Sequence, residues 1–282
     1  MKTLTKLLLA LGCTATLSAR ATTVFYDFND QNNLGWSGIT TDNNDANWSS
    51  SNGLDGTGAV GRQSDVNRTA ATVTTQQFDG SVGQLSFGTF VFFDLGGQET
   101  QADTRFALGF KDNQLVGQTR NDPERRIGNA DNSVYAALDF DGSTGIRIGL
   151  GVSGDGTGTY VSSDFETVSN SSWYYLSSDY EHLGTDGNWR LTASLFALDT
   201  NGDVDFSSSV ISFTNDFTGG PLLSAFSEVY GSVDHAPSGG RNRRAVQWID
   251  DATITVIPEP GTLALIGIAA IAGLIGFRRR RS

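Results

Sequence analysis

An all-β fold, an antiparallel sandwich of many short strands, is predicted by three features of this 282-residue chain. Apolar and polar residues alternate at period two in several runs, while no segment between residues 22 and 257 sustains a 3.6-residue apolar period. Turn-forming dipeptides punctuate those runs: Asn52-Gly53, Asp79-Gly80, Asp141-Gly142, Asp155-Gly156, Asp186-Gly187 and Asn201-Gly202. Good helix formers are scarce, since Lys111 is the only lysine of this region and Glu99, Glu124, Glu166, Glu181 and Glu228 are its only glutamates.

The strands follow in order. Val24, Tyr26 and Phe28 share one parity, as do Leu85, Phe87, Thr89, Val91 and Phe93. Ile146, Ile148, Leu150 and Val152 form a third set with Arg147 between them, and Trp189, Leu191, Ala193, Leu195 and Ala197 a fourth with Arg190, Thr192 and Ser194 opposite. Each set can face a core. The last run, Val246, Trp248, Ile254 and Val256, puts Asp250 on its inward parity, so either a bulge at Asp250-Asp251 resets the register or Asp250 is buried with partners. Strands and turns at this spacing suggest a sandwich of the jelly-roll type, and its length suits one domain, residues 22–257.

This pattern resembles the concanavalin-A/laminin-G-like jelly roll. The residues that carry the resemblance are Val24-Phe25-Tyr26-Asp27-Phe28, Trp173-Tyr174-Tyr175-Leu176, Trp189-Arg190-Leu191-Thr192-Ala193 and the closing Trp248 to Ile254. The resemblance implies that the last strand pairs with or near the first.

The two ends of the chain read differently. Residues 1–21 are expected to be a signal peptide, with Lys2 and Lys6 before the apolar Leu7 to Leu17 and Ala19-Arg20-Ala21 at the cleavage site. The only cysteine, Cys13, falls inside it, so the mature chain would form no disulfide. At the other end, Pro258 and Pro260 lack amide donors and close off the globular part. The uncharged segment 261–277 is expected to be a short transmembrane helix, its 16 residues from Thr262 to Phe277 covering roughly 24 Å of a ~30 Å hydrocarbon core. Arg278, Arg279, Arg280 and Arg281 resist translocation and act as a topological stop.

Pro258-Glu259-Pro260, a short span and an arginine cluster in that order resemble the PEP-CTERM sorting signal of exported bacterial proteins. The resemblance assigns residues 258–282 to sorting, with Pro258, Glu259 and Pro260 the motif that an exosortase, a membrane peptidase, recognises. It implies transient insertion in the inner membrane, then release to the cell surface or extracellular matrix.

Without its ends the chain loses Lys2, Lys6, Arg20 and four terminal arginines of 19 basic residues, and Glu259 of 31 acidic ones, leaving 12 against 30, a net charge of −18. That charge excludes nucleic acid as a natural partner and favours solubility.

Catalytic patterns are weak. No two glutamates lie within six residues of each other, so the strand-borne glutamate pair of jelly-roll glycosidases is absent. A secreted carbohydrate-active enzyme would have to use aspartates, of which Asp139 and Asp141 share a parity. His182 and His235 are far apart, and no Gly-x-Ser-x-Gly elbow exists. The expectation is a non-enzymatic module.

Two binding features stand out. Asp199, Asn201, Asp203 and Asp205 alternate around Gly202, a spacing that can aim oxygens at one hard cation, so calcium is the candidate cofactor; a plain hairpin turn is the alternative. Trp36 and Trp48 stand in Gly/Asn/Asp/Ser-rich stretches as candidate glycan-stacking rings, with core packing the alternative. Arg120, Arg125 and Arg126, and Arg241, Arg243 and Arg244, form basic clusters that could dock anionic polysaccharide.

Overall fold

Two facing sheets, antiparallel except where β3 (Ile39–Thr40) meets β4 (Ala46–Ser49), account for most of the described backbone. The structure, a computed structural model, describes residues 21–30, 35–40, 46–61, 69–93, 104–115, 117–119, 127–141, 145–155, 157–184, 186–237 and 246–257. Residues 23–256 form one compact unit; the other unit, 1–22 with 257–282, lies almost wholly outside the described residues, and with it the segments expected to be signal peptide and membrane span and the terminal arginines.

Strands are numbered in chain order. The first sheet runs β16 (Val204–Phe217), β15 (Trp189–Leu198), β14 (Ser172–His182), β7 (Gln84–Phe93), β18 (Val246–Ile257), β5 (Ala59–Gly61), β4 (Ala46–Ser49) and β3 (Ile39–Thr40), with β1 (Thr22–Tyr26) also on β18. The second runs β12 (Thr157–Ser162), β11 (Gly145–Gly154), β10 (Ser133–Phe140), β8 (Thr104–Lys111), β17 (Tyr230–Pro237), β6 (Thr69–Thr74) and β2 (Trp36–Ser37), with β13 (Glu166–Thr167) on β11 and β9 (Gly117–Thr119) on β6. The last strand therefore pairs with the first. Helix among the described residues is limited to 3-10 turns at Ile127–Asn129 and Leu223–Ala225.

Period-two patterning explains the layering. Leu85, Phe87, Thr89, Val91 and Phe93 of β7 are all buried, as are Trp189, Leu191, Ala193 and Leu195 of β15. They face Ile146, Ile148, Leu150 and Val152 of β11 and the even residues of β10. Each such side chain is worth roughly 1.5–3 kcal/mol on burial, so alternation holds the sheets together more than strand propensity does. Rings interlock across the layers, with Phe87 6.1 Å from Phe110 and Phe93 5.8 Å from Phe140. Tyr180 of β14 is fully buried and donates its hydroxyl hydrogen to the Leu108 carbonyl of β8 at 2.9 Å, tying the sheets by a polar bond.

At Asp250-Asp251 both sequence alternatives hold. Asp251 has φ +45°, and the residues packed in the core change from Ile249 before it to Ala252 and Ile254 after it, the phase reset of a bulge. Asp250 is 3% exposed, and its carboxylate accepts the Leu54 amide at 2.8 Å and the Asp251 amide at 2.9 Å.

These carboxylates oppose folding at neutral pH. Burial, then Asp250, Asp27 and Asp55, push the Asp251 carboxyl up to about 6, and burial raises Asp250 in the same direction. Between about pH 4 and 6 the native chain binds more protons than the unfolded one, so stability grows as pH falls through that window. Carboxylates held low by hydrogen bonds, Asp199, Asp205 and Asp216, titrate below it. The melting temperature is expected to be higher at pH 5 than at pH 7.5. Asp251→Asn, which tolerates the left-handed backbone, should stabilise the protein at pH 7.5 by about 1 kcal/mol, after discounting for solvent screening, and flatten the profile. A melting temperature that falls from pH 7.5 to 5 would contradict this.

Candidate functional site: the outer face of the first sheet

The same alternation that fills the core dictates what the first sheet shows to solvent. With odd residues of β7 inward, Ser86, Phe90 and Phe92 point out; β14 presents Trp173, Tyr175, Ser177 and Asp179, and β15 presents Arg190, Thr192, Ser194 and Phe196. Register then sets neighbours: Trp173 pairs with Phe92, and Tyr175 with Phe90 on one side and Phe196 on the other.

The aromatic residues form a ladder across four strands. Phe92 and Trp173 have centroids 5.4 Å apart, Phe90 and Tyr175 5.1 Å, Tyr175 and Phe206 5.7 Å, and Phe196 and Phe206 5.2 Å. The last three contacts are edge-to-face, the geometry that ring quadrupoles favour. Tyr175 lies over Gly88, where any Cβ would strike its phenol oxygen. Register shifts on either side of Phe196 bend β16 and set Phe206 beside it. Phe206 is 65% exposed and the other five rings are half-buried. Burial, and secondarily Asp179, raise the Tyr175 phenol above its usual range, keeping it a neutral donor.

Beside the rings lies a polar half. Asp179 accepts from Ser86 Oγ and from Gln84 Nε2, the latter at 3.2 Å. Ser194 and Ser212 share a hydrogen bond of 2.8 Å, and Thr192 and Thr214 one of 2.9 Å. Arg190 grips Asp216 bidentately, Nε to Oδ1 at 2.8 Å and Nη2 to Oδ2 at 3.0 Å, which holds the Asp216 carboxyl low. From Arg190 to Phe196 the face runs roughly 20 Å along one strand, enough for an extended chain ligand.

The sequence-predicted residues stand elsewhere. Trp36 is buried among Tyr26, Phe28 and Phe87, with centroids at 5.5, 6.2 and 6.1 Å. Trp48 is half-buried and donates Nε1 to the Phe28 carbonyl at 2.6 Å. Packing thus claims Trp36, while Trp48 is tied to the core by its Nε1 and stays part exposed.

In the 199–205 turn, Asp199 Oδ1 accepts the Asn201 and Asp203 amides at 2.7 and 3.0 Å, and Asp205 Oδ1 accepts the Ser207 amide at 3.0 Å. Gly202, at φ +89°, makes the reversal between β15 and β16. The carboxylates of Asp199 and Asp205 thus serve separate local hydrogen bonds. Among the described residues no three or more Asp, Glu, His or Cys side chains gather as a metal-holding group.

Asp139 is buried and accepts the Tyr160 hydroxyl hydrogen at 2.7 Å, while exposed Asp141 accepts the Gly145 amide at 2.9 Å. His182 is buried, with Nδ1 accepting the Gly184 amide at 3.2 Å. The arginine clusters at 120–126 and 241–244, the motif Pro258-Glu259-Pro260 and Arg278 to Arg281 lie outside the described residues.

Comparison with known families decides how the chain is handled: residues 256–281 match the PEP-CTERM protein-sorting motif. This chain carries a PEP-CTERM sorting signal. That signal marks the protein for export and sorting at the membrane. No curated protein matches the sequence. Among solved structures, the PEP-CTERM chain is similar to basic winged bean lectin with Tn-antigen (12% identity, 84% of this chain and 98% of that one, TM-score 0.51). It is likewise similar to peanut lectin with a nonamer peptide (11%, 84% and 97%, TM-score 0.50) and to a protein of unknown function from Shewanella oneidensis MR-1 (14%, 89% and 94%, TM-score 0.50). At such identities the likeness establishes the fold, the concanavalin-like jelly roll, and nothing about ligands.

Proposed function

We propose that this chain is an exported, non-catalytic module that binds an extended neutral polysaccharide on the outer face of its first sheet, at the cell surface or in the extracellular matrix. The observation that carries the reading is the aromatic ladder Phe92, Trp173, Phe90, Tyr175, Phe206 and Phe196. Contiguous exposed aromatic surface on a soluble domain marks an interaction site. Hydroxyls and a carboxylate beside stacked rings match the two faces of a sugar, apolar C–H and polar O–H. The net charge of −18 disfavours polyanions and a second copy of this chain. Tn-antigen binding by the winged bean lectin supports sugar recognition on a sandwich of this kind. An exosortase-type peptidase acting at Pro258-Glu259-Pro260 would release the module from its membrane segment.

The test is incubation of the ectodomain, residues 22–257, with a panel of neutral polysaccharides. Retention without new reducing ends supports the proposal; reducing-end release would favour a carbohydrate-active enzyme, and no retention would remove glycan binding. For calcium at the 199–205 turn the test is thermal. A melting temperature raised by millimolar calcium over chelator supports a cation there, and an unchanged one removes it.

A further inference from the structure

On the opposite sheet, one cation is held rigidly yet left half unused. Arg147 of β11 stands across from Asp139 of β10 in register, and its Nε donates to Asp139 Oδ2 at 3.2 Å. The same oxygen accepts the Tyr160 hydroxyl hydrogen at 2.7 Å, and the Asp139 side chain is 1% exposed. The guanidinium carbon lies 4.7 Å from the centroid of the Phe165 ring, a cation–π contact that fixes its plane. Tyr160 stacks on Tyr135 at 6.2 Å and 17°, and the two rings lie over Gly149 and Gly151, where a Cβ would strike them. Arg147 is thus held by Asp139 of β10 and by Phe165 from the segment between β12 and β13.

Its terminal nitrogens are not used. Nη1 and Nη2 make no hydrogen bond or ion pair to any side chain or carbonyl of the described residues, although the side chain is only 27% exposed. An arginine offers five N–H donors in a fixed fork. With Nε committed to Asp139, the Nη1/Nη2 edge remains as a pair of parallel donors on a side chain that is part exposed. Phe165, 40% exposed, borders that edge with apolar surface.

We infer that the Nη1/Nη2 edge of Arg147 is a receptor for a carboxylate carried on a sugar ring, a uronate residue, with the ring resting against Phe165. Two parallel N–H donors match the two oxygens of a planar carboxylate, and a preorganised fork loses little entropy on binding. Asp139 offsets the charge of the guanidinium, so the site recognises by geometry more than by net charge. Asp164 and Glu166, exposed beside Phe165, and the overall charge of −18 repel a long polyanion, so a short oligomer is the ligand that fits. The site lies apart from the aromatic ladder and does not rest on it.

The experiment titrates the ectodomain with trigalacturonate, with a sulfated trisaccharide, with sodium sulfate and with a neutral trisaccharide. Trigalacturonate alone should bind, shifting the Arg147 side-chain NMR signals. Arg147→Gln should weaken it about 10- to 100-fold, the worth of a charge-assisted bidentate pair. Arg147→Lys, which keeps the charge and loses the fork, should weaken it nearly as much, while Tyr175→Ala with Phe206→Ala should leave it unchanged. Equal binding of sulfate or of the neutral sugar, wild-type affinity in Arg147→Lys, or unmoved Arg147 signals in the wild type would each overturn the inference. The NMR readout needs no variant, so it stands even where a substitution impairs folding.

Discussion

Trp189→Ala is expected to lower stability by about 4 kcal/mol, among the largest costs of any single truncation. Trp189 has no solvent exposure, packs edge-on against His182 at 5.3 Å and Phe226 at 5.5 Å, and donates Nε1 to the Pro221 carbonyl at 3.0 Å. Truncation leaves a cavity where the 182–189 turn meets the 220–226 segment and strands that carbonyl without its donor. In the wild type a Cβ at Gly220 would lie 2.6 Å from the Trp189 ring, which shows how closely the backbone packs on the indole. Domains of this size hold only about 5–15 kcal/mol in total, so thermal melting should fall by roughly 10 °C or more. A loss under about 2 °C would mean that this end of the sandwich contributes little to the cooperative core.

The second large effect concerns binding. Tyr175→Ala with Phe206→Ala should cut affinity for the retained neutral polysaccharide about 100-fold, since central aromatic anchors carry most of an interface's energy. The two rings touch at 5.7 Å, so the double change should differ from the sum of the single ones. Phe206 is 65% exposed, so its loss should barely move the melting temperature, which separates a binding defect from a folding one. Isothermal titration of the double variant checks this, and wild-type affinity would remove the ladder from the site.

How much of this was legible in the sequence depends on the range of the interaction. Strand faces are local: the runs at Leu85–Phe93, Ile146–Val152 and Trp189–Leu195 point inward as their parity predicts. The Asn201-Gly202 turn joins β15 to β16 because glycine alone takes φ +89° without strain. Site residues are less accessible. Trp36 and Trp48 have polar neighbours in sequence, yet Trp36 packs on Phe87, far along the chain, and Trp48 bonds to the Phe28 carbonyl, contacts that no local composition announces. The ladder residues Phe90, Phe92, Trp173 and Tyr175 sit on the parity opposite the core set, and an aromatic residue on both faces of a strand reads as a fully buried strand. Their off-parity position was the available signal. Phe206 reaches Phe196 only through irregular pairing of β15 with β16, which no local pattern encodes.

The tail is the reverse case. Pro258-Glu259-Pro260 and four arginines declare themselves by order alone, because a sorting motif is matched as linear sequence. The domain ahead of the tail must be folded before its surface has meaning.

Hydroxyl-radical footprinting of the ectodomain with and without its retained polysaccharide tests the proposed face most directly. Protection is expected at Phe90, Phe92, Trp173, Tyr175, Phe196 and Phe206, with Phe25 and Phe165 as reactive as in the free protein. Protection that spares these six residues, or that falls on Phe165 and Tyr160 instead, would contradict it.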